Sequence, residues 1–205
     1  MNHSLTGSEN LGNAVSLPDT TTTHLGLKHD QGINNLNRSG ELFMYCVWVQ
    51  GIMATLIVLA ENSHFRSDFV EYHEQLDHEF VQKRTDLLKK PFSRILNTFY
   101  ETFDDVITSS DRKLLDLLSD LRDLFAHCHL SLGRPYLLWG PKGPFEARIR
   151  AFGLKPEPSL KHQLVKFDGS DEAVYLKCFD VIQKLDQGLL SRAAEELGIG
   201  YRYVR

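Results

Sequence analysis

Arg122-Asp123-Leu124-Phe125-Ala126-His127 places a guanidinium and an imidazole on either side of four residues. A guanidinium stays charged at any working pH and grips phosphate through two parallel hydrogen bonds. An imidazole takes up and returns a proton near neutrality. Together they supply the minimum chemistry for cutting RNA with neither metal nor cofactor: the base activates the 2′-OH and the cation steadies the charge that develops on phosphorus. Asp123 lies four residues before His127, on the same helical face, where its carboxylate can fix the imidazole tautomer and favour its protonated form. Arg122 and His127 are five apart, about 140° of rotation on a helix, so a second copy of the helix across a dimer axis would close the gap better than one chain does.

Two further Arg and His pairs have similar spacing, Arg66 with His73 and Arg122 with His129. Arg66 opens a charged segment and reads as an ordinary surface charge. Arg122 follows a Leu-rich stripe, so its polar atoms emerge beside a core, and His129 is an alternative to His127. The bland use of either His is to cap a helix C-terminus, where a cation is favoured by about 0.3 to 1 kcal/mol. His127 and His129 flank Cys128, but residues two apart on a helix point about 200° apart, and no second ligand cluster exists, so no metal site is expected. Arg134, Lys142, Arg148 and Arg150 come next and are candidate contacts to an RNA backbone, with Tyr136 and Trp139 available for base stacking. The same residues suit a solvated hairpin anchored by its aromatics.

The elements that must position these groups read as mainly helical. Residues 1–38 are rich in Asn, Ser, Thr and Gly without periodicity and read as a disordered N-terminal tail. A single helical domain over 39–205 follows, starting near Glu41 with an almost wholly apolar run, Leu42 to Ala60. Phe65 to Lys90 is a charged amphipathic helix carrying Phe69, Tyr72, Leu76, Phe80 and Leu87. Pro91 opens another, with Phe92, Ile95, Leu96, Phe99 and Phe103 on one face up to about Ile107. Ser109-Ser110-Asp111 resembles a cap for the Leu-rich helix that carries Arg122 and His127 and ends before Gly133. Gly and Pro then punctuate 133–169, where Tyr136–Trp139, Ala147–Phe152 and His162–Phe167 read as short strands of a small β-hairpin insertion. Helix returns over 170–205, with Val174, Cys178, Val181, Ile182 and Leu185 on one face.

A net charge of −4 gives no general attraction for polyanions, so nucleic-acid contact would need a local basic patch. Three scattered cysteines without a Cys-x-x-Cys pair fit a reducing cytoplasm, and no secretory signal is read at the N-terminus. The run 42–60 approaches the length of a membrane span, but Gln50 near its middle and balanced flanks favour a core helix or a dimer interface. At the C-terminus, Leu190, Ala193, Ala194, Leu197, Gly198, Ile199 and Val204 have helix-turn-helix spacing. A terminal helix closed at Leu197-Gly198, with Ile199, Tyr201 and Tyr203 packing back on the bundle, explains them more simply.

Over Glu41 to Leu132 the chain resembles the HEPN superfamily, whose ribonuclease members carry an Arg, a polar residue, a short spacer and a His, matched here by Arg122, Asp123 and His127. The apolar first helix and the motif at the end of a late helix match in layout. The resemblance implies an antiparallel helical bundle and a homodimeric, metal-independent endoribonuclease of the toxin or defence kind. Two motif copies would form one cleft, and some members of such a family pair with a nucleotidyltransferase-like antitoxin. The alternative is a non-catalytic helical binding or regulatory protein, touching DNA through its C-terminus.

Overall fold

The computed structural model describes residues 29–67, 77–127, 136–139, 163–166 and 172–205, and the fold is mainly α. In chain order the elements are α1 (His29–Glu61), α2 (His78–Leu88), α3 (Phe92–Thr102), α4 (Ser109–His127), β1 (Tyr136–Trp139), β2 (Gln163–Lys166), α5 (Glu172–Lys184), a π turn (Leu185–Leu190), α6 (Ser191–Glu196) and α7 (Tyr201–Val204). The two strands pair antiparallel, Tyr136 opposite Lys166 and Trp139 opposite Gln163. Of the residues read as strand, Ala147–Phe152 lies outside the described residues, as do Phe69, Tyr72 and Leu76.

α1 is the axis of the bundle. From Ile52 to Leu59 every residue is buried, Thr55 included, so the helix has no outward face there. A helix apolar all round must be covered all round, and α2, α3, α4, α5, the π turn and α7 all pack against it. Leu36–Glu61 is long and apolar enough to cross a bilayer, but 67% of its most apolar window is buried inside the bundle. The polar groups in the run are matched locally. The Thr55 hydroxyl donates to the Gly51 carbonyl at 3.1 Å and accepts from Arg84 Nε of α2 at 2.9 Å. The far end is capped by Arg66, whose Nε and guanidinium NH₂ donate to the carbonyls of Leu59 and Ala60 at 2.9 and 3.1 Å. Arg66 is therefore structural; His73 lies outside the described residues.

Three boundaries differ from the sequence expectation. α1 begins at His29, so residues 29–38 are its first turns rather than the end of a tail. Gly32 and Gly40 each cost about 1 kcal/mol in a helix, too little to stop one whose next turn is anchored by buried Ser39 and by Arg38 over the Tyr175 ring at 5.3 Å. α3 stops at Thr102, not near Ile107. Phe103 and Ile107 stay buried in the turn that follows, while Asp104 is taken by Arg112 of α4 at 2.6 Å. The cap of α4 is Thr108 rather than Ser109 or Ser110. Asp111 N–H donates to the Thr108 hydroxyl at 3.2 Å and Thr108 N–H to the Asp111 carboxylate at 2.8 Å, a reciprocal capping box with Asp in the usual place of Glu.

Asp111 does more than cap. Its buried carboxylate also receives Arg192 of α6 at 2.7 Å, tying the end of the chain to the start of α4. Burial alone would raise its pKa, but the Thr108 hydroxyl and N–H and then Arg192 outweigh it and hold the carboxyl below its ordinary value. A folded pKa below the unfolded one means stability that is complete above about pH 4 and is lost as pH falls through the folded value. Thermal denaturation between about pH 2 and pH 7 is expected to show a steeper acid loss for the native chain than for Asp111→Asn, and equal slopes would refute this role.

Candidate functional site

Arg122 and His127 both sit on α4, which buries Leu115, Leu118, Leu121 and Leu124 along one stripe. That stripe fixes the rotation of the helix and hence where the polar residues point. Arg122, next to Leu121, turns partly inward, and its guanidinium carbon lies 5.6 Å from the centre of the Phe92 ring at the start of α3. It also lies near Cys46 of α1, a buried thiol that desolvation pushes up to about 12 while the Arg122 charge opposes the rise. Arg122 Nε is the one buried side-chain nitrogen or oxygen among the described residues without a hydrogen-bond partner. Leaving such a donor unpaired costs about 1 to 3 kcal/mol.

His127 stands in the last turn of α4 with 67% of its side chain exposed. Its Nε2 is 3.5 Å from Asp123 Oδ1, so the expected i, i+4 pair of carboxylate and imidazole is present. At that separation the contact orients the ring more than it binds it. Within one chain, then, Asp123 and His127 come together at the surface, whereas Arg122 faces the Phe92 side of α4. The end-of-helix position also gives His127 the bland role of a cation on the C-terminal dipole.

His129, Arg134, Lys142, Arg148 and Arg150 lie outside the described residues, as do Cys128 and the side chains of Tyr136 and Trp139. Among the described residues no three His, Cys, Asp or Glu side chains converge as metal ligands would. The helix-turn-helix spacing at the C-terminus has another use. Gly198, at φ 72°, closes α6, with Ile199 N–H donating to the Ala194 carbonyl at 3.0 Å and Gly198 N–H to that of Glu195 at 2.9 Å. This is a Schellman closure with its apolar pair, Ile199 and Ala194, both buried. The next helix, α7, has four residues and packs back on α1 with Val204 buried, so among the described residues no recognition helix projects toward a groove.

A second concave site escaped the sequence reading. Tyr45 and Trp48 of α1, Phe179 of α5 and Asp186 of the π turn line a cavity of about 440 Å³ that Arg205 enters. The sequence around Asp186, Gln183-Lys184-Leu185-Asp186-Gln187-Gly188, gives no signal for it, and a helix period read as continuous through 185–190 hides which way that residue points.

No family model matches the chain, and it has no match among curated proteins or solved structures.

Two consequences can be checked on the folded protein. Arg122→Met keeps an unbranched apolar stem against Phe92 and removes the unpaired Nε, so its melting temperature is expected to equal or exceed that of the native chain. A fall of more than about 3 °C, roughly 1 kcal/mol in a chain of this size, would show that the guanidinium is a structural tie. Cys46 and Cys178, both buried with thiols pushed up to about 12 by desolvation, are expected to resist alkylation at neutral pH until denaturant is added. Peptide-resolved mass spectrometry would read this, and rapid labelling of either in the native state would contradict it.

Proposed function

We propose that the chain is a metal-independent endoribonuclease of the HEPN toxin or defence type, acting in the cytoplasm as a homodimer with an HEPN-like bundle and a β-hairpin over 133–169. The observation that carries the reading is the exposed His127 with the Asp123 carboxylate 3.5 Å from its Nε2, on the helix that also carries Arg122, whose side chain faces Phe92 and would turn outward to meet a phosphate. Arg122 Nε is buried without a hydrogen-bond partner, so turning the side chain out to a phosphate would break no hydrogen bond at that atom.

In the proposed reaction His127 takes the proton of the RNA 2′-OH, whose oxygen attacks the adjacent phosphorus. The P–O5′ bond breaks, leaving a 2′,3′-cyclic phosphate, and the second protomer's copy of His127 protonates the departing 5′ oxygen. Arg122 stabilises the charge on the phosphorane and Asp123 holds the imidazole. Arg134, Lys142, Arg148 and Arg150 would hold the RNA backbone, and an antitoxin protein is the expected partner in the cell.

A second reading, a non-catalytic helical binding protein, is favoured by the place of Arg122 over Phe92, which gives the residue a packing role independent of RNA. Cleavage of mixed RNAs in EDTA separates the two. The native chain is expected to cut, His127→Ala to lose activity while keeping its fold, and Arg122→Met to lose about 10²-fold or more. Mixing the native chain with an excess of His127→Ala should suppress its activity as subunits exchange, since both copies of His127 act at one cleft. No cleavage by the native chain, or full cleavage by His127→Ala, would reject the enzyme reading.

A further inference from the structure

The cavity between α1 and α5 is built by two helical faces of matching period. α1 contributes Glu41, Met44, Tyr45 and Trp48, and α5 with the π turn contributes Phe179, Ile182, Gln183 and Asp186, each set at positions i, i+3, i+4 and i+7. At about 440 Å³ it lies within the roughly 300 to 1,000 Å³ range of small-molecule sites. Its walls are aromatic: Tyr45 and Phe179 meet edge to face with ring centres 5.4 Å apart, and Trp48 lies beyond them. Its charged groups are two carboxylates, Glu41 and Asp186, against the single cation Arg205. Aromatic faces flanked by carboxylates attract organic cations, since the ring quadrupole and the acid act in the same sense.

The chain itself shows which cation fits. The Arg205 guanidinium lies 5.8 Å from the centre of the Trp48 ring and 3.2 Å from Asp186 Oδ2. Asp186 is set for this contact before Arg205 arrives: its side chain is only 6% exposed, and its other oxygen accepts the Tyr201 hydroxyl. Glu41, at the exposed rim, accepts the Tyr175 hydroxyl at 2.6 Å. Arg205, in contrast, has 58% of its side chain exposed, and exposed contacts of these two kinds are weak. Asp186 and the rings are fixed, and the cation between them is the replaceable part.

We propose that this pocket binds a small alkylguanidinium compound in the place that the Arg205 side chain holds over Trp48. The ligand would stack its guanidinium on Trp48, pair with Asp186 and direct its alkyl chain along Tyr45, Phe179 and Ile182. Arg205 is then a built-in competitor that sets the apparent affinity. This inference is independent of the ribonuclease reading and uses none of its residues.

The test follows the indole N–H resonance of Trp48, assigned by its loss in Trp48→Phe, in the full chain labelled with ¹⁵N. Butylguanidinium and its neutral isostere butylurea are titrated in parallel. Butylguanidinium should give a saturable shift, with butylurea at least about tenfold weaker, a difference of about 1.4 kcal/mol. Arg205→Gln should tighten butylguanidinium about fivefold by removing the competing side chain. Glu41→Gln should weaken butylguanidinium and leave butylurea unchanged, which gives a second reading should Arg205→Gln disturb α7. Equal binding of the two compounds, or no saturable shift in either the native chain or Arg205→Gln, would overturn the proposal.

Discussion

Everything in this fold answers to one constraint, that α1 cannot be left uncovered between Ile52 and Leu59. A helix with a single apolar stripe can lie on a surface, but one buried on every side has to be enclosed. Enclosure demands several helices at different angles around it, and they come from distant parts of the sequence, from α2 to α7. The Leu stripe of α4 is spent on this task, which fixes the helix rotation and with it the outward placement of Asp123 and His127. The candidate chemistry is thus positioned by a packing requirement. The turns of α1 before Ile52 are covered on one side only, and there the cavity with Met44, Tyr45 and Trp48 opens.

The parts of the fold that could be read in the sequence are those decided by local pattern. The span of α4 and the positions of its buried leucines follow from period 3.6, and Pro91 does stand at the start of α3. The closure at Leu197-Gly198 follows because only glycine takes φ 72° without strain. What could not be read was decided by partners far away in sequence. Residues 29–38 look like tail by composition, and nothing local announces that Arg38 will meet Tyr175. Thr108 looks no better as a cap than Ser109 until Asp111 answers it.

The candidate site was legible to the same degree. The i, i+4 relation of Asp123 and His127 is a helix property and is present as expected. The direction of Arg122 is not, because it depends on a ring at the start of α3 and a thiol on α1. A positive charge half-inserted between helices, with one donor unpaired, is in tension with its surroundings. Packing explains its alkyl stem and leaves its nitrogen without a use.

The π turn at Leu185–Leu190 carries a consequence for how this chain can change over time. A turn of this kind holds one residue more than an α-helical turn would and takes it up by widening, so the helix beyond it is not advanced by the roughly 100° that a residue adds in α geometry. Asp186 within the turn meets Tyr201 and Arg205, and Arg192 just after it meets Asp111. Most substitutions on the exposed side of this stretch leave those bearings alone. Loss of a single residue between Lys184 and Ser191 would let the turn close as ordinary α-helix, moving the side chains inside it, Asp186 among them, while those beyond it keep their bearings. The segment is thus the place where the chain can take up a change of one residue in length without turning the helix that follows.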